Sequence, residues 1–345
     1  VVAAVVAELV ALGHDVTLYA SGDSVTEARL IPAVEQALWR MEMPISEVIV
    51  HLTELGRVVR EADEYDVIHS HVDVIGFAFG RTSSTPFVHT MHGRLDLPEL
   101  HGLCAEFPEA PLVSISNSQR RPIPDANWVA TVYNGVAVDE LPFGQGRGEY
   151  LAFLGRISPE KGVADAIDVA IQAGIPLKIA ARMPLAGVDN PWVARDWTYY
   201  QEEIKPRLNH PLIEFVGEVD DSGKGELLKD AIGLVFPINW PEPFGLVMAE
   251  ALACGAPVIA RAMGSAPEVV EPGRTGFLCT DVAEMVAACQ RLGELDRAEC
   301  RRAAQERFSA HAMAEGYLRV YRTVTQKPAV FGLPYDVEAA LSSVN

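Results

Sequence analysis

The sequence predicts an α/β protein made of two doubly wound, Rossmann-like domains that face each other across a cleft. Three observations lead there. The chain has 345 residues, more than one comfortable core holds and suited to two domains of ordinary size. Short apolar strands alternate with amphipathic helices from end to end, the pattern of parallel sheets covered on both faces. Near the middle the alternation is interrupted by VAVDELPFGQGRG, rich in glycine and turn residues.

In the first half, strands are expected at 15–19, 65–69, 86–91, 111–115 and 129–132; in the second, at 149–154, 176–180, 213–216, 233–236 and 257–260. The linker falls near 139–148, giving an N-terminal domain 1–143, a C-terminal domain 144–309 and a terminal segment 310–345. The opening run VVAAVVAELVALG reads as a buried helix leading into a strand. The N-terminal domain is therefore expected to lack the strand and turn that would precede that helix. The tail after Gln326 reads as a surface extension.

Composition narrows the function. The formal charge is −19, with −12 in residues 1–150 and −7 in the remainder. Such a surface repels nucleic acid and anionic lipid, so phosphate groups would be held by a few local cations and helix ends. No apolar run reaches the roughly 20 residues of a membrane span, and the opening run has no basic start or cleavage context. The expectation is a protein with no integral membrane segment and no nucleic-acid partner. The five cysteines are odd in number and lack CxxC pairing, which favours a reducing, cytoplasmic setting.

The segment WPEPFGLVMAEALACG carries the most chemistry. Pro243 suits a first helical position and Gly255 a C-terminal stop, so one helix is expected between them. Glu242 and Glu250, eight residues apart, would lie about 12 Å apart along it and within about a quarter turn of each other. That spacing spans a sugar ring, a pyrophosphate and a ribose. Phe244, Gly245 and Leu246 would offer backbone N–H groups at the helix N-terminus, where an anion is favoured. Glu250 stands among apolar residues, where an unpaired carboxylate is costly.

In FLGRISPEKG a strand ends and Pro159 opens a helix, which puts Arg156 and Lys161 at the strand's carboxyl edge, able to converge on one diphosphate. In PFVHTMHGR, His92, followed by Gly93, is placed to face the cleft and contact a sugar oxygen, whereas His89 reads as a packing histidine. HSHVD, 69–73, imitates a hydrolase metal site, but position 74 is Val where that pattern needs histidine, and no metal is expected. GEVDDSGKG, 217–225, looks faintly like a Walker loop. It has five residues between the first two glycines and Gly225 where Ser or Thr is required, and its acidic side chains would repel phosphates. A better use for Gly217 and Val219 is to border a nucleotide base through their backbone.

Taken together, VHTMHGR, VYNGVAVD, FLGRISPEKG, IEFVGEV, WPEPFGLVMAEALACGAPVIA and GSAPEVVEPGRTGFL, with RFSAHAMAEGYLRVY near the end, resemble the family 4 glycosyltransferases, retaining enzymes of the GT-B fold. The resemblance covers roughly 1–325, with the motifs in family order. It implies that Arg156 and Lys161 bind the donor diphosphate and that Glu242 lies against the transferred sugar. Phe244, Gly245 and Leu246 would line sugar and phosphate, Glu250 would take the ribose hydroxyls, and His92 would approach the sugar from the other domain. It also implies a final helix, 310–325, that crosses back onto the first domain, and a reaction that needs no metal or other cofactor.

At its front the sequence as given does not include the glycine-rich loop by which the family helps bind donor phosphates or acceptor, and the domain 1–143 is read here without it. The expected activity is metal-independent hexosyl transfer with retention from a nucleoside diphosphate sugar, a UDP-sugar by default. The acceptor would be a soluble hydroxyl compound, a sugar or small natural product. Competing readings are a GT-B epimerase or phosphorylase, and a nucleotide-sugar-binding protein without turnover. A dinucleotide oxidoreductase is disfavoured because no GxGxxG follows a strand.

Overall fold

The structure is a computed structural model that describes residues 1–40, 47–185 and 190–326; the C-terminal extension expected after Gln326 lies outside the described residues. Among the described residues there are twelve strands: β1 Thr17–Ser21, β2 Arg29–Val34, β3 Ile68–Ser70, β4 Phe87–Thr90, β5 Leu112–Ser114, β6 Trp128–Thr131, β7 Leu151–Arg156, β8 Leu177–Arg182, β9 Ile213–Gly217, β10 Gly233–Phe236, β11 Val258–Arg261 and β12 Gly276–Cys279. Two of these, β2 and β12, escape the sequence reading. β2 is largely exposed and contains Pro32, and β12 is only four residues long after a glycine-rich turn.

Among the described residues, every strand pair is parallel. The second half forms one six-stranded sheet in the order β12-β11-β10-β7-β8-β9. Its strands are apolar throughout because both faces are covered. Ala152, Leu154, Leu234, Phe236, Val258 and Ala260 face one core with the helix Leu246–Ala253; Leu151, Phe153, Val235 and Ile259 face the other with the helix Val163–Ala173. Strict alternation along each strand assigns neighbouring residues to opposite cores.

The first half is in two pieces, a four-stranded sheet β3-β4-β5-β6 and a separate pair β1-β2. A cavity of about 690 Å3 lies between them, lined by Thr17, Leu18 and Tyr19 of β1 and by Ile68, His69 and Ser70 of β3. The helix Val2–Ala11 packs beneath through Val5, Val6 and Leu9. The helix Ala310–Thr325 follows the second half in sequence but packs on the first, burying Met313, Ala314, Tyr317, Leu318 and Val320 against Val5, Val6, Leu9, Val88 and Val113. The expected crossing back is present.

The chain passes between the halves twice, and the two passages are hydrogen-bonded to each other. Val136 N–H donates to the Phe308 carbonyl and Ala310 N–H to the Val136 carbonyl, both at 2.9 Å. The stretch read as a linker is fastened rather than free, because Arg297 donates to the carbonyls of Gly144, Ala231 and Lys229. A third tie is a carboxylate clamp. Glu268 of the second half accepts from Asn117 N at 2.8 Å, Asn117 Nδ2 at 3.0 Å, Ser118 N at 2.7 Å and Tyr133 Oη at 3.1 Å. The Tyr133 ring in turn meets Phe244 and Phe308.

Charge-assisted bonds of this kind are among the stronger ones, and their loss leaves donors unpaired. Glu268→Ala is expected to lower the unfolding free energy by about 1–3 kcal/mol. In hydrogen exchange the amides of Asn117 and Ser118 should lose protection while Ile259 in β11 stays protected. Unchanged exchange at 117 and 118 would show that the clamp does not tie the halves.

Candidate active site

The functional candidates gather where the strands end, on both sides of the crevice. From the second half come Lys161 after β7 and Glu242 after β10, with Lys161 Nζ 2.5 Å from Glu242 Oε2. Trp240 Nε1–H donates to the same oxygen at 2.8 Å, so Oε2 is doubly bonded and Oε1 has no protein partner among the described residues. Two close backbone approaches make this possible. A Cβ on Gly162 would sit 2.1 Å from the Pro237 carbonyl oxygen, and one on Gly264 would sit 2.4 Å from Glu242 N. Both glycines, with φ of 72° and 58°, let the Lys161 and Glu242 loops pack tightly.

Glu250 lies on a helix whose Met248, Ala249, Ala251, Leu252 and Ala253 are fully buried. Its Oε1 is 2.6 Å from Lys224 Nζ, which itself lies 2.9 Å from Asp221 Oδ1. Burial alone would lower the Lys224 pKa, but Glu250 and Asp221 outweigh it and leave it raised. Lys224 belongs to the segment that imitates a Walker loop. Asp220 caps its helix, Asp221–Asp230, by accepting from Gly223 N. Gly217, at φ 88°, ends β9, and Val219 packs against the adjoining core two residues further on. Both therefore lie at the entry to the helix that carries Lys224.

On the facing side, His92 and Gly93 follow β4, and His92 Nε2 lies 2.9 Å from His71 Nδ1. Asp73, held at φ 46°, accepts from His92 N–H through Oδ1. Gln119 donates to the carbonyls of Met91 and Gly93 and so fixes the same turn. The His69 and His71 rings lie 3.9 Å apart, and His69 bridges Tyr321 of the returning helix and Thr90. His89 packs between Phe77 and Phe87, as a core histidine should. Among the described residues, no group of three or more His, Cys, Asp or Glu is placed to hold a metal, and all five cysteines are buried and unpaired. The two sides share one crevice. Arg94, two residues beyond His92, lies close enough to Glu160, the neighbour of Lys161, to feel its charge.

Three expectations need correction. The helix begins at Leu246, not Pro243, with Gly245 as its N-cap at φ 72°. Glu242 is therefore on the preceding loop, and its relation to Glu250 is set by Gly264 and Ser265 rather than by helical spacing; Ser265 N–H donates to the Glu242 carbonyl at 3.0 Å. The helix N-terminal N–H groups are accordingly those at Gly245 and just after it. Phe244 stands one residue before the cap, 2% exposed, with its ring in the interdomain aromatic cluster and its carbonyl accepting from Ser265 Oγ. Finally, Arg156 and Lys161 are engaged by different carboxylates. Pro159–Lys161 is a single 3-10 turn, and the Arg156 side chain, 60% exposed, pairs with Glu160 at 3.1 Å and lies 3.9 Å from Asp196. Sequence reasoning missed Lys224, Trp240, His71, Asp73 and Gln119. Only the paired charges in GEVDDSGKG and HSHVD signalled any of them.

Two facing parallel-sheet domains, a C-terminal helix that returns to the first, and polar side chains gathered at strand ends across the crevice define a GT-B glycosyltransferase fold. Residues 1–140 match the family model described as Glycosyltransferase Family 4, and residues 143–307 match that described as Glycosyl transferases group 1. Each half of the chain thus matches a glycosyltransferase family model, and the two matches together span most of its length. It is 31% identical over 210 residues to a glycogen synthase of Mycobacterium tuberculosis, covering 56% of this chain and 49% of that protein; the match thus spans about half the length of that relative. Its fold is that of AviGT4, a glycosyltransferase involved in avilamycin A biosynthesis, with a TM-score of 0.68 at 24% identity over 94% of this chain and 88% of the other. HepE of Anabaena in complex with UDP-glucose superposes with a TM-score of 0.64 at 20% identity, over 85% and 86% of the two chains.

The buried histidines make stability pH-dependent. Burial lowers His89 to about 4, and burial with the neighbouring charge of His92 lowers His71 to about 3. Groups with depressed pKa values bind protons more readily when unfolded, so their full contribution is present above pH ~6.5 and is lost as pH falls. The unfolding free energy should therefore drop between pH 6.5 and 4. His89→Leu should flatten that drop by roughly 3 kcal/mol, measured by urea titration at several pH values. An unaltered slope would place the proton uptake elsewhere.

Proposed function

We propose that this chain transfers a hexose-type sugar from a nucleoside diphosphate donor to an acceptor hydroxyl with retention and without a metal. The observation that carries this reading is the pair of lysine-held carboxylates, Lys161 with Glu242 and Lys224 with Glu250, set at strand ends in a chain whose two halves match glycosyltransferase family models. The donor would lie along the start of the helix Leu246–Ala253. Backbone N–H groups and the helix dipole there favour the diphosphate, with Lys161 supplying a cation beside it. Arg156 would join only by leaving Glu160, and its exposure permits that movement.

In this reading Glu242, anchored through Oε2, presents Oε1 to a sugar hydroxyl, and Glu250 takes the ribose hydroxyls. His92 approaches the sugar from the facing domain through the ring nitrogen not engaged by His71, and the Gly93 turn leaves room for the ring. Gly217 and Val219 border the base. As the anomeric C–O bond breaks, Lys161 and the helix N-terminus offset charge growing on the leaving diphosphate. That is a transition-state effect rather than tighter ground-state binding. The acceptor attacks from the same face, and the departing phosphate takes its proton. Positioning and electrostatics supply the acceleration. HepE was crystallised with UDP-glucose, which makes uridine the first base to test. The acidic surface favours a soluble acceptor, a sugar or small natural product, in the cytoplasm.

A thermal-shift screen against UDP, ADP, GDP and their sugars tests donor binding, since a ligand of the native state raises the melting temperature. With the donor found, Glu242→Ala and Lys161→Ala should each slow transfer at least about tenfold, equivalent to ~1.4 kcal/mol of barrier, and Glu250→Ala should mainly raise the donor KM. Wild-type rates in the first two variants would dismantle this site assignment.

A further inference from the structure

We propose that Lys224 is a positioning residue for nucleotide recognition: by holding Glu250 through one oxygen, it presents the other to the ribose hydroxyls of the donor. The inference rests on the donor reading above and deepens it.

Glu250 needs a counter-charge. It projects from a helix whose neighbouring residues 248, 249 and 251–253 are fully buried, and its own side chain is only 15% exposed. A lone carboxylate there would be costly. Lys224 supplies the cation at 2.6 Å and touches Oε1 only, so Oε2 has no protein partner among the described residues. An ionised carboxylate with one free oxygen accepts two hydrogen bonds there, which suits the two adjacent hydroxyls of a ribose.

The lysine is itself held in place. Asp221 Oδ1 lies 2.9 Å from its ammonium, and Asp220 caps the first turn of its helix. Gly225, the next residue, packs so closely that a Cβ would sit 2.7 Å from Pro142 Cδ. The backbone carrying Lys224 is therefore fixed on both sides. Once a nucleotide excludes water from this pocket, the ammonium offsets the carboxylate's charge and stops it from rotating away from the sugar. A purely structural ion pair would be arranged similarly, but would have no influence on which sugar the nucleotide carries.

The test compares ribose with 2′,3′-dideoxyribose. Calorimetry on the full chain measures binding of UDP, or of ADP or GDP where thermal shift selects one of those, and of its 2′,3′-dideoxy counterpart. The wild type should favour the ribonucleotide at least tenfold, and Glu250→Ala should abolish that preference. Lys224→Met and Lys224→Gln should reduce it below about threefold, while Lys224→Arg retains most of it. A tenfold preference preserved in a folded Lys224→Met or Lys224→Gln protein would overturn the role of Lys224 and leave the donor reading standing. No preference in the wild type would overturn the role of Glu250 and the inference with it. Failure of all three nucleoside diphosphates to bind the wild type would remove the donor reading itself.

Discussion

The site depends on how the two halves are held together. The polypeptide leaves the first half near Val136 and returns near Ser309, and these passages are bonded edge to edge. Because both crossings occur at one place, the halves are joined along a line rather than across a broad face, and the remaining space between them is the crevice. Glu268 and the Tyr133, Phe244 and Phe308 rings add a second point of attachment. Phe244 stands two residues from Glu242, so this attachment is adjacent to the chemistry. A change in the interdomain packing would be transmitted directly to the loop that carries Glu242.

The crevice follows a simple electrostatic rule. The protein carries an excess of acidic groups, yet each of the two carboxylates central to the site has a lysine against it. Neutralisation makes their burial tolerable, and because each lysine engages one oxygen, the second is left for hydrogen bonding to a ligand. Lys161 reaches Glu242 from the end of β7, and Lys224 reaches Glu250 from the helix after β9. The pairs come from different βα connections of the same sheet. Parallel strands make that convergence natural, since their carboxyl ends all open on one edge.

The first half is organised differently. Its sheet is divided, with a cavity between β1 and β3, and the ring nearest the crevice, His92, belongs to a stack with His71 and His69 that ends on Tyr317 and Tyr321 of the returning helix. The returning helix thus also supports His92. Burial keeps these rings neutral, so they act as hydrogen-bonding groups of fixed orientation rather than as charges.

Most of the strand order along the chain, the division into two halves and the strand-end positions of Lys161, Glu242 and His92 were legible in the sequence, because apolar runs, glycine turns and charged residues at strand ends are local signals. The helix start was not: Pro243 is locally compatible with a first helical turn, but the left-handed Gly245 and the contacts of Gly264 and Ser265 with Glu242 form only once β10 and β11 lie side by side. Arg156 likewise looked equivalent to Lys161 until folding placed Glu160 and Asp196 beside one and Glu242 beside the other. Lys224 lies 26 residues from Glu250, with a strand between, so no spacing rule could pair them. Sequence determined which groups exist and which end of the sheet they occupy; tertiary structure decided which charge meets which, because an ion pair depends on distances that only packing sets.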